Sequence, residues 1–258
     1  MEALTFADLS LKLRERPVLR AVTGALAVGS VTVILGANGA GKSTLLACLA
    51  GLREPDAGQV LLNGQPLASL PAQHRARLIG LLPQQADIHW NVNVRTLVAL
   101  GRLPHRGRWG LQADDERAID AALVAADCVH LASRKAQRLS GGEQARVLLA
   151  RVLAGEPRWI LADEPFASLD PAHQLDAAGC LRSAAAQGAG VAVVLHDLTQ
   201  AARLADRVIV MKDGQVLAAG AVAEVMTPAV LGEAYGVRIH AGQDADGAPL
   251  IVPVARLP

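Results

Sequence analysis

Aromatic side chains are scarce in this chain. They make up 2% of 258 residues: three Trp, two Phe and one Tyr. Yet 52% of the residues are apolar and the mean hydropathy is +0.29, so Ala, Leu and Val carry the hydrophobicity. Long apolar runs are missing too. A spanning helix needs about 20 consecutive apolar residues, and here the most apolar stretches, residues 31–35 and 191–195, are short. That excludes a membrane bundle and leaves a packed α/β core, while the apolar fraction itself excludes disorder. Residues 1–10 carry Glu2 and Asp8 with no basic stretch leading into an apolar one, so they do not read as a signal peptide.

Cysteine and net charge are equally thin. Cys48, Cys128 and Cys180 are far apart and odd in number. A disulfide framework or a structural zinc site is therefore not expected, and a reducing compartment fits. Lys and Arg total 25 against 24 Asp and Glu, a net charge of +1. A nucleic-acid binder shows a larger basic excess or a basic stripe, so no nucleic-acid partner is expected. The densest basic segment runs from Arg102 to Arg108, beside Trp109, and reads as a solvated loop.

What is present alternates. Short apolar runs at residues 31–35, 159–162, 191–195 and 208–211 predict buried strands and residues 59–62 a short strand, with helical patterns between them. A helix is expected from Lys42 to about Ala50, stopped by Gly51. Asn63-Gly64 and Asp213-Gly214 are hairpin-turn pairs. Asp114-Asp115 suit a helix start, and Ile119, Ala122, Leu123 and Ala126 follow on one helical face. Residues 85–157 thus read as a mostly helical insertion in an α/β core whose first third also holds antiparallel hairpins.

The first chemical motif is Gly36-Ala37-Asn38-Gly39-Ala40-Gly41-Lys42-Ser43, followed by Thr44. It matches the phosphate loop G-x-x-x-x-G-K-[ST]. Glycines let the backbone fold tightly and aim its N–H groups at phosphate oxygens, and the following helix presents its positive end to the same anion. Lys42 reaches the outer phosphates and the Ser43 hydroxyl suits Mg²⁺. The motif lies between an expected strand and an expected helix, the context it requires.

Two further groups gain meaning beside it. Ser140-Gly141-Gly142-Glu143-Gln144 opens a helix and exposes N–H donors, an ordinary cap in isolation but a second anion surface in a phosphate-binding chain. The apolar run 159–162 delivers Asp163 and Glu164 at a strand's carboxyl end, where open α/β sheets bind ligands. Asp163 suits the Mg²⁺ shell, and Glu164 suits a general base acting on water.

In order, the chain carries GANGAGKST at 36–44, LLPQ at 81–84, LSGGEQ at 139–144, ILADEP at 160–165, SLD at 168–170 and VLHD at 194–197. With these motifs it resembles the nucleotide-binding subunits of ATP-binding cassette transporters over about residues 4–240. The resemblance implies a phosphate-loop NTPase (RecA-like) α/β core, with an antiparallel β subdomain and an inserted α-helical subdomain. It implies one ATPase domain over residues 1–240, with 241–258 as a short C-terminal extension. ATP is held by Gly36, Asn38, Gly39, Ala40, Gly41, Lys42, Ser43 and Thr44. In the family's head-to-tail dimer, Ser140, Gly141, Gly142 and Gln144 of the other copy complete the site, with Asp170 at the interface. Ser43, Gln84 and Asp163 surround Mg²⁺, and Glu164, His196 and Gln84 serve hydrolysis. One chain supplies half of each of two sites.

Residues 93–105 and 220–237 resemble those of importers of ferric siderophores, haem and vitamin B12. The implied assembly is a homodimer of cassettes on separate transmembrane permease subunits, docked through residues 86–102. A periplasmic or extracellular substrate-binding protein feeds it, and the cassettes sit peripherally on the cytoplasmic face of the inner membrane. A ferric siderophore is the first expectation for cargo, with cobalamin or haem behind it. A soluble non-transport ATPase is the alternative of another class. One departure stands out: the family stacks adenine on an aromatic residue upstream of Val18, and here Leu11-Lys12-Leu13-Arg14-Glu15-Arg16 has none. Leu13, Arg14 and Arg16 are the candidates to replace it.

Overall fold

The computed structural model describes residues 2–84, 91–107, 110 and 112–257. In chain order the elements are β1 (Ala3–Leu13), β2 (Arg16–Ala27), β3 (Val31–Gly36), α1 (Lys42–Leu49), β4 (Ala57–Leu62), β5 (Gln65–Pro66), α2 (Ala72–Leu78) and β6 (Ile79–Leu82). Next come α3 (Val94–Ala99), α4 (Ala113–Ala125), α5 (Gly141–Ala154), β7 (Trp159–Asp163), α6 (Pro171–Ala186), β8 (Gly190–Val194) and α7 (Leu198–Leu204). The chain ends with β9 (Arg207–Lys212), β10 (Gln215–Ala221), α8 (Val222–Val225), α9 (Pro228–Tyr235), β11 (Val237–Gln243) and β12 (Pro249–Arg256).

Among the described residues the strands form three sheets. The central one has six strands in the order β10-β9-β3-β8-β7-β6, parallel except for the antiparallel edge strand β10. Its inner strands read as continuous apolar runs because both faces are covered. The period of two then sorts their residues. Val31, Val33 and Leu35 of β3, with Val191 and Val193 of β8, pack under the helices α5, α6 and α7. Ile34 of β3 and Val194 of β8 face the opposite way, onto α1 and an antiparallel sheet ordered β2-β1-β4-β5. A third cluster, built on Val94, Val98, Ile119, Leu123 and Val147, is the core of the helical subdomain. The expected face of α4 is therefore buried.

Two sequence readings change. Arg102 does not sit in a solvated loop: it is 6% exposed. Gly101 brings its backbone so close to α5 that a Cβ there would lie 2.1 Å from the Arg151 carbonyl, and this draws Arg102 inward. Its guanidinium donates to Asp115 Oδ1 at 2.8 Å, to the Ala154 carbonyl at 3.0 Å and to Glu156 Oε2 at 2.7 Å. Arg108 and Trp109 lie outside the described residues, as do residues 86–90 of the expected docking segment. The second change concerns the tail. Position 240, the boundary read from the sequence, falls inside β11, and Ile239 and Ile251 of the β11–β12 hairpin are buried in the main core. No helix of the described residues is long and apolar enough to cross a membrane.

Candidate functional site: a phosphate-loop groove at the sheet's carboxyl edge

Parallel strands deliver their carboxyl ends to one edge, so the order of strands fixes the order of side chains along it. Neighbouring strands β3, β8, β7 and β6 are followed in turn by the phosphate loop, His196, the Asp163-Glu164 pair and Gln84. Residues distant in sequence converge here for that reason alone. An open groove of about 720 Å³ is lined by Asn38, Gly39, Gly41, Lys42, Ser43, Thr44, Gln84, Glu164 and His196, and on its far side by Leu13, Arg16, Pro17, Val18, Arg20, Asp213 and Gly214.

The loop depends on glycine at two places. Gly36 has φ +146 and Gly41 φ +98, both in the region that favours glycine. A Cβ on Gly36 would lie 2.3 Å from the Met211 carbonyl, and one on Gly41 2.8 Å from that of Val18. Lys42 folds back over the loop, its Nζ donating to the Gly36 carbonyl at 2.7 Å and to that of Ala37 at 3.1 Å. Burial holds its pKa below the usual lysine value, opposed by the charges of Glu164 and Asp163.

Asp163 ends β7 buried at 7% exposure, and burial pushes its pKa up, against a hydrogen bond from Ser43 and the charge of Lys42. Its Oδ1 is buried with no hydrogen-bond partner. An orphaned carboxylate oxygen is costly, and beside a hydroxyl and a phosphate loop it fits a hard divalent cation that takes few protein ligands. Among the described residues no group of three His, Cys, Asp or Glu side chains could hold a metal by itself, so phosphate oxygens would complete such a shell.

Glu164 follows at φ +51. A non-glycine residue there is strained by about 1–3 kcal/mol and persists only where its surroundings over-determine it. The N–H of Glu164 donates to the Val194 carbonyl at 3.1 Å. Its Oε1 lies 2.6 Å from His196 Nε2. Base candidate and histidine therefore meet directly across the groove.

Other expected residues stand elsewhere. Ser140 caps α5: its hydroxyl accepts the Glu143 N–H at 3.3 Å, while Glu143 accepts the Ser140 N–H at 2.8 Å and pairs with Arg134 at 2.7 Å. Gly141 and Gln144 line a separate recess of about 220 Å³, together with Gln84, Glu164 and Ser168. Gln84 and Glu164 thus face both recesses. Asp170 caps α6, accepting the His173 N–H at 3.0 Å and meeting His173 Nδ1 at 2.8 Å. Gly142 lies against Ser168, where a Cβ would sit 3.4 Å from its carbonyl.

The three candidates for a base platform separate by geometry. Arg14 and Glu15 both have positive φ, 48 and 66, and form the two-residue turn between β1 and β2. That turn pairs Leu13 with Arg16 across the ladder, so both side chains share one face. Both line the groove, while Arg14 is not among its lining residues. One contact had no signal in the sequence. The Gly36 N–H donates to the Tyr235 hydroxyl at 2.9 Å, across 199 residues.

The family model described as ABC transporter matches residues 19–167, more than half of the chain. The chain belongs to the ABC transporter family. It is thus an ATP-binding cassette, and an ATPase. The cassette is 44% identical over 255 residues to the hemin import ATP-binding protein HmuV of Pseudomonas entomophila, covering 96% of this chain and 99% of that one. It is 43% identical to HmuV of Bordetella avium, covering 89% and 90%. Among solved structures it superposes on an inward-facing metal-chelate type ABC transporter with a TM-score of 0.84, at 25% identity and 98% coverage of both chains. A bacterial cassette solved as a dimer matches with a TM-score of 0.77 at 28% identity, covering 85% of this chain and 98% of that one.

Proposed function

We propose that this cassette is the ATP-hydrolysing subunit of a metal-chelate importer, and that its cargo is haem. The observation that carries the reading is the groove joining phosphate loop, Glu164, Gln84 and His196, with Asp163 buried against Ser43 of that loop, in a chain whose near full-length relatives are named hemin import proteins. Haem thereby moves ahead of the ferric siderophore first expected from the sequence, and cobalamin stays behind both.

In this reading the loop N–H groups from Asn38 to Thr44 and the Lys42 ammonium hold the phosphates. To do so Lys42 exchanges its two carbonyl partners for phosphate oxygens. Ser43 and Asp163, with Gln84, would hold Mg²⁺, and the ion would supply charge neutralisation for the phosphates. Glu164 orients and deprotonates the attacking water. His196 holds Glu164 in place and contributes a positive or hydrogen-bonding group at the transferred phosphate. Ser140, Gly141, Gly142 and Gln144 belong to the site of a second copy, with Asp170 beside the join. The placement of Ser140, Gly142 and Asp170 away from the lining of their own chain's groove supports that assignment.

A homodimer of cassettes would then close around two ATP molecules and open on hydrolysis, driving transmembrane permease subunits fed by a periplasmic or extracellular substrate-binding protein. The cassettes would act as peripheral subunits on the cytoplasmic face of the inner membrane. The test is uptake by the complete complex in vesicles, with labelled haem, a ferric siderophore and cobalamin compared at saturating ATP. ATP-dependent accumulation of haem above the other two is expected. Accumulation of siderophore or cobalamin without haem overturns the cargo. ATPase activity in a chain that co-purifies with no membrane subunit favours the non-transport alternative.

A further inference from the structure

The chain's one tyrosine takes no part in the reading above, yet it touches the phosphate loop. Tyr235 is the last residue of α9 and is half-buried. Its hydroxyl accepts the Gly36 N–H at 2.9 Å. Gly36 is the buried end of β3, and its carbonyl accepts from Lys42 Nζ at 2.7 Å. The first peptide of the loop is therefore held from both sides, by Tyr235 on its N–H and by Lys42 on its carbonyl. Burial raises the phenol's pKa, opposed by the hydrogen bond from Gly36.

The segment that carries Tyr235 is fastened at a second point. Thr199 in α7 donates its hydroxyl to the Ile251 carbonyl at 2.9 Å and accepts the Ile251 N–H at 3.0 Å. One turn on, Arg203 donates to the Pro249 carbonyl at 3.0 Å and to Asp244 Oδ2 at 2.6 Å. The helix α7 starts directly after His196, with Asp197 as its cap. Residues 222–257 thus grip the strand end that starts the phosphate loop and the helix that follows the histidine. Leu231, Ala234, Ile239 and Ile251 seat the grip in the main core. The backbone closes it, since the Leu257 N–H donates to the Gly236 carbonyl at 2.9 Å.

We infer that Tyr235 is a positioning residue for the phosphate loop, and that the C-terminal hairpin acts as a clamp holding Tyr235 against Gly36 while tied to the helix behind His196. Without the phenol oxygen the Gly36 N–H is left buried and unpartnered. The loop then relaxes to find another acceptor, and its inward N–H groups lose their preset aim. Loop amides bind phosphate in both ground and transition states, so their loss is uniform binding loss, which raises KM and leaves kcat.

The experiment uses the full chain with Tyr235→Phe, which keeps the ring and its packing. Steady-state ATPase kinetics, a titration with a fluorescent ATP analogue and amide exchange at Gly36 are measured against wild type. KM and the analogue's Kd should rise about fivefold to tenfold, with kcat within about twofold, and Gly36 exchange should accelerate. Thr199→Val loosens the other end of the clamp. It should raise KM in the same direction by less, and the double variant should fall short of the product of the two. A Tyr235→Phe cassette with wild-type KM and Kd overturns the inference, even if its melting point falls. Independent, multiplicative effects of the two substitutions overturn the clamp.

Discussion

Replacing Asp115 by Asn removes one charge from a buried network and little else. Arg102 is 6% exposed and Asp115 5%. Their side chains meet at 2.8 Å, and Asp115 Oδ2 also accepts the Gln112 N–H at the start of α4, at 2.9 Å. Asn can keep that cap but cannot balance the guanidinium. Breaking a buried pair by removing one partner costs about 3–5 kcal/mol, because the other charge stays behind. Glu156 still reaches Arg102 at 2.7 Å, but its side chain is 66% exposed and screened by water. The lower end, about 3 kcal/mol, is therefore expected. That corresponds to a melting point lower by about 6–12 °C. Paired replacement with Arg102→Met and Asp115→Leu should recover most of the loss, since an apolar pair of similar volume is often no worse than the ions. The Gln112 N–H and then the Arg102 guanidinium hold the Asp115 carboxyl below the usual carboxylate range. Its contribution is therefore complete above the ordinary aspartate pKa and disappears as pH falls through the lower, folded value. The stability gap between wild type and Asp115→Asn, measured by urea unfolding from pH 7 downward, should be widest at neutral pH and narrow below about pH 4. A loss under about 1 kcal/mol, unchanged across that range, would refute the network as a stabilising charge pair.

Three further outcomes follow from the groove. Glu164→Gln should retain ATP binding while turnover falls by about 10²–10⁴, and ATP should trap a dimer detectable by size; undiminished hydrolysis would remove Glu164 as the base. Lys42→Ala loses the phosphate contact together with the tie to the Gly36 and Ala37 carbonyls, so a direct titration should show weaker ATP binding, and equal affinity would contradict the loop assignment. Arg16→Ala should weaken ATP by about three- to tenfold if its guanidinium plane covers the base, whereas Arg14→Ala, in the turn outside the groove's lining, should have no effect; matching losses at both would show that the turn geometry does not select the platform.

What could be read from residues 1–258 alone was whatever repeats a local rule. Continuous apolar runs became the strands buried on both faces, and Asn63-Gly64 and Asp213-Gly214 became turns with positive φ at every residue. The phosphate loop was legible because its glycines answer to backbone geometry that no other residue fits. Contacts between distant segments were not legible, for the same reason that they matter. Arg102 looks solvated until Gly101 is seen pressing the chain onto α5. Tyr235 looks like an ordinary helix end until β3 brings Gly36 to it. Leu13, Arg14 and Arg16 were equivalent in a linear pattern, and only the two-residue turn decides which two share a face. Such a face matters because aromatic poverty leaves that side of the groove with a leucine, a proline, a valine and two arginines where stacking would otherwise be aromatic. A guanidinium plane over an aliphatic floor can cover any purine. Base selectivity in this cassette should therefore be shallow, and comparable ATP and GTP affinities are the expected result. A strong preference for ATP would mean that a group reading the exocyclic amine lies beyond Leu13 and Arg16.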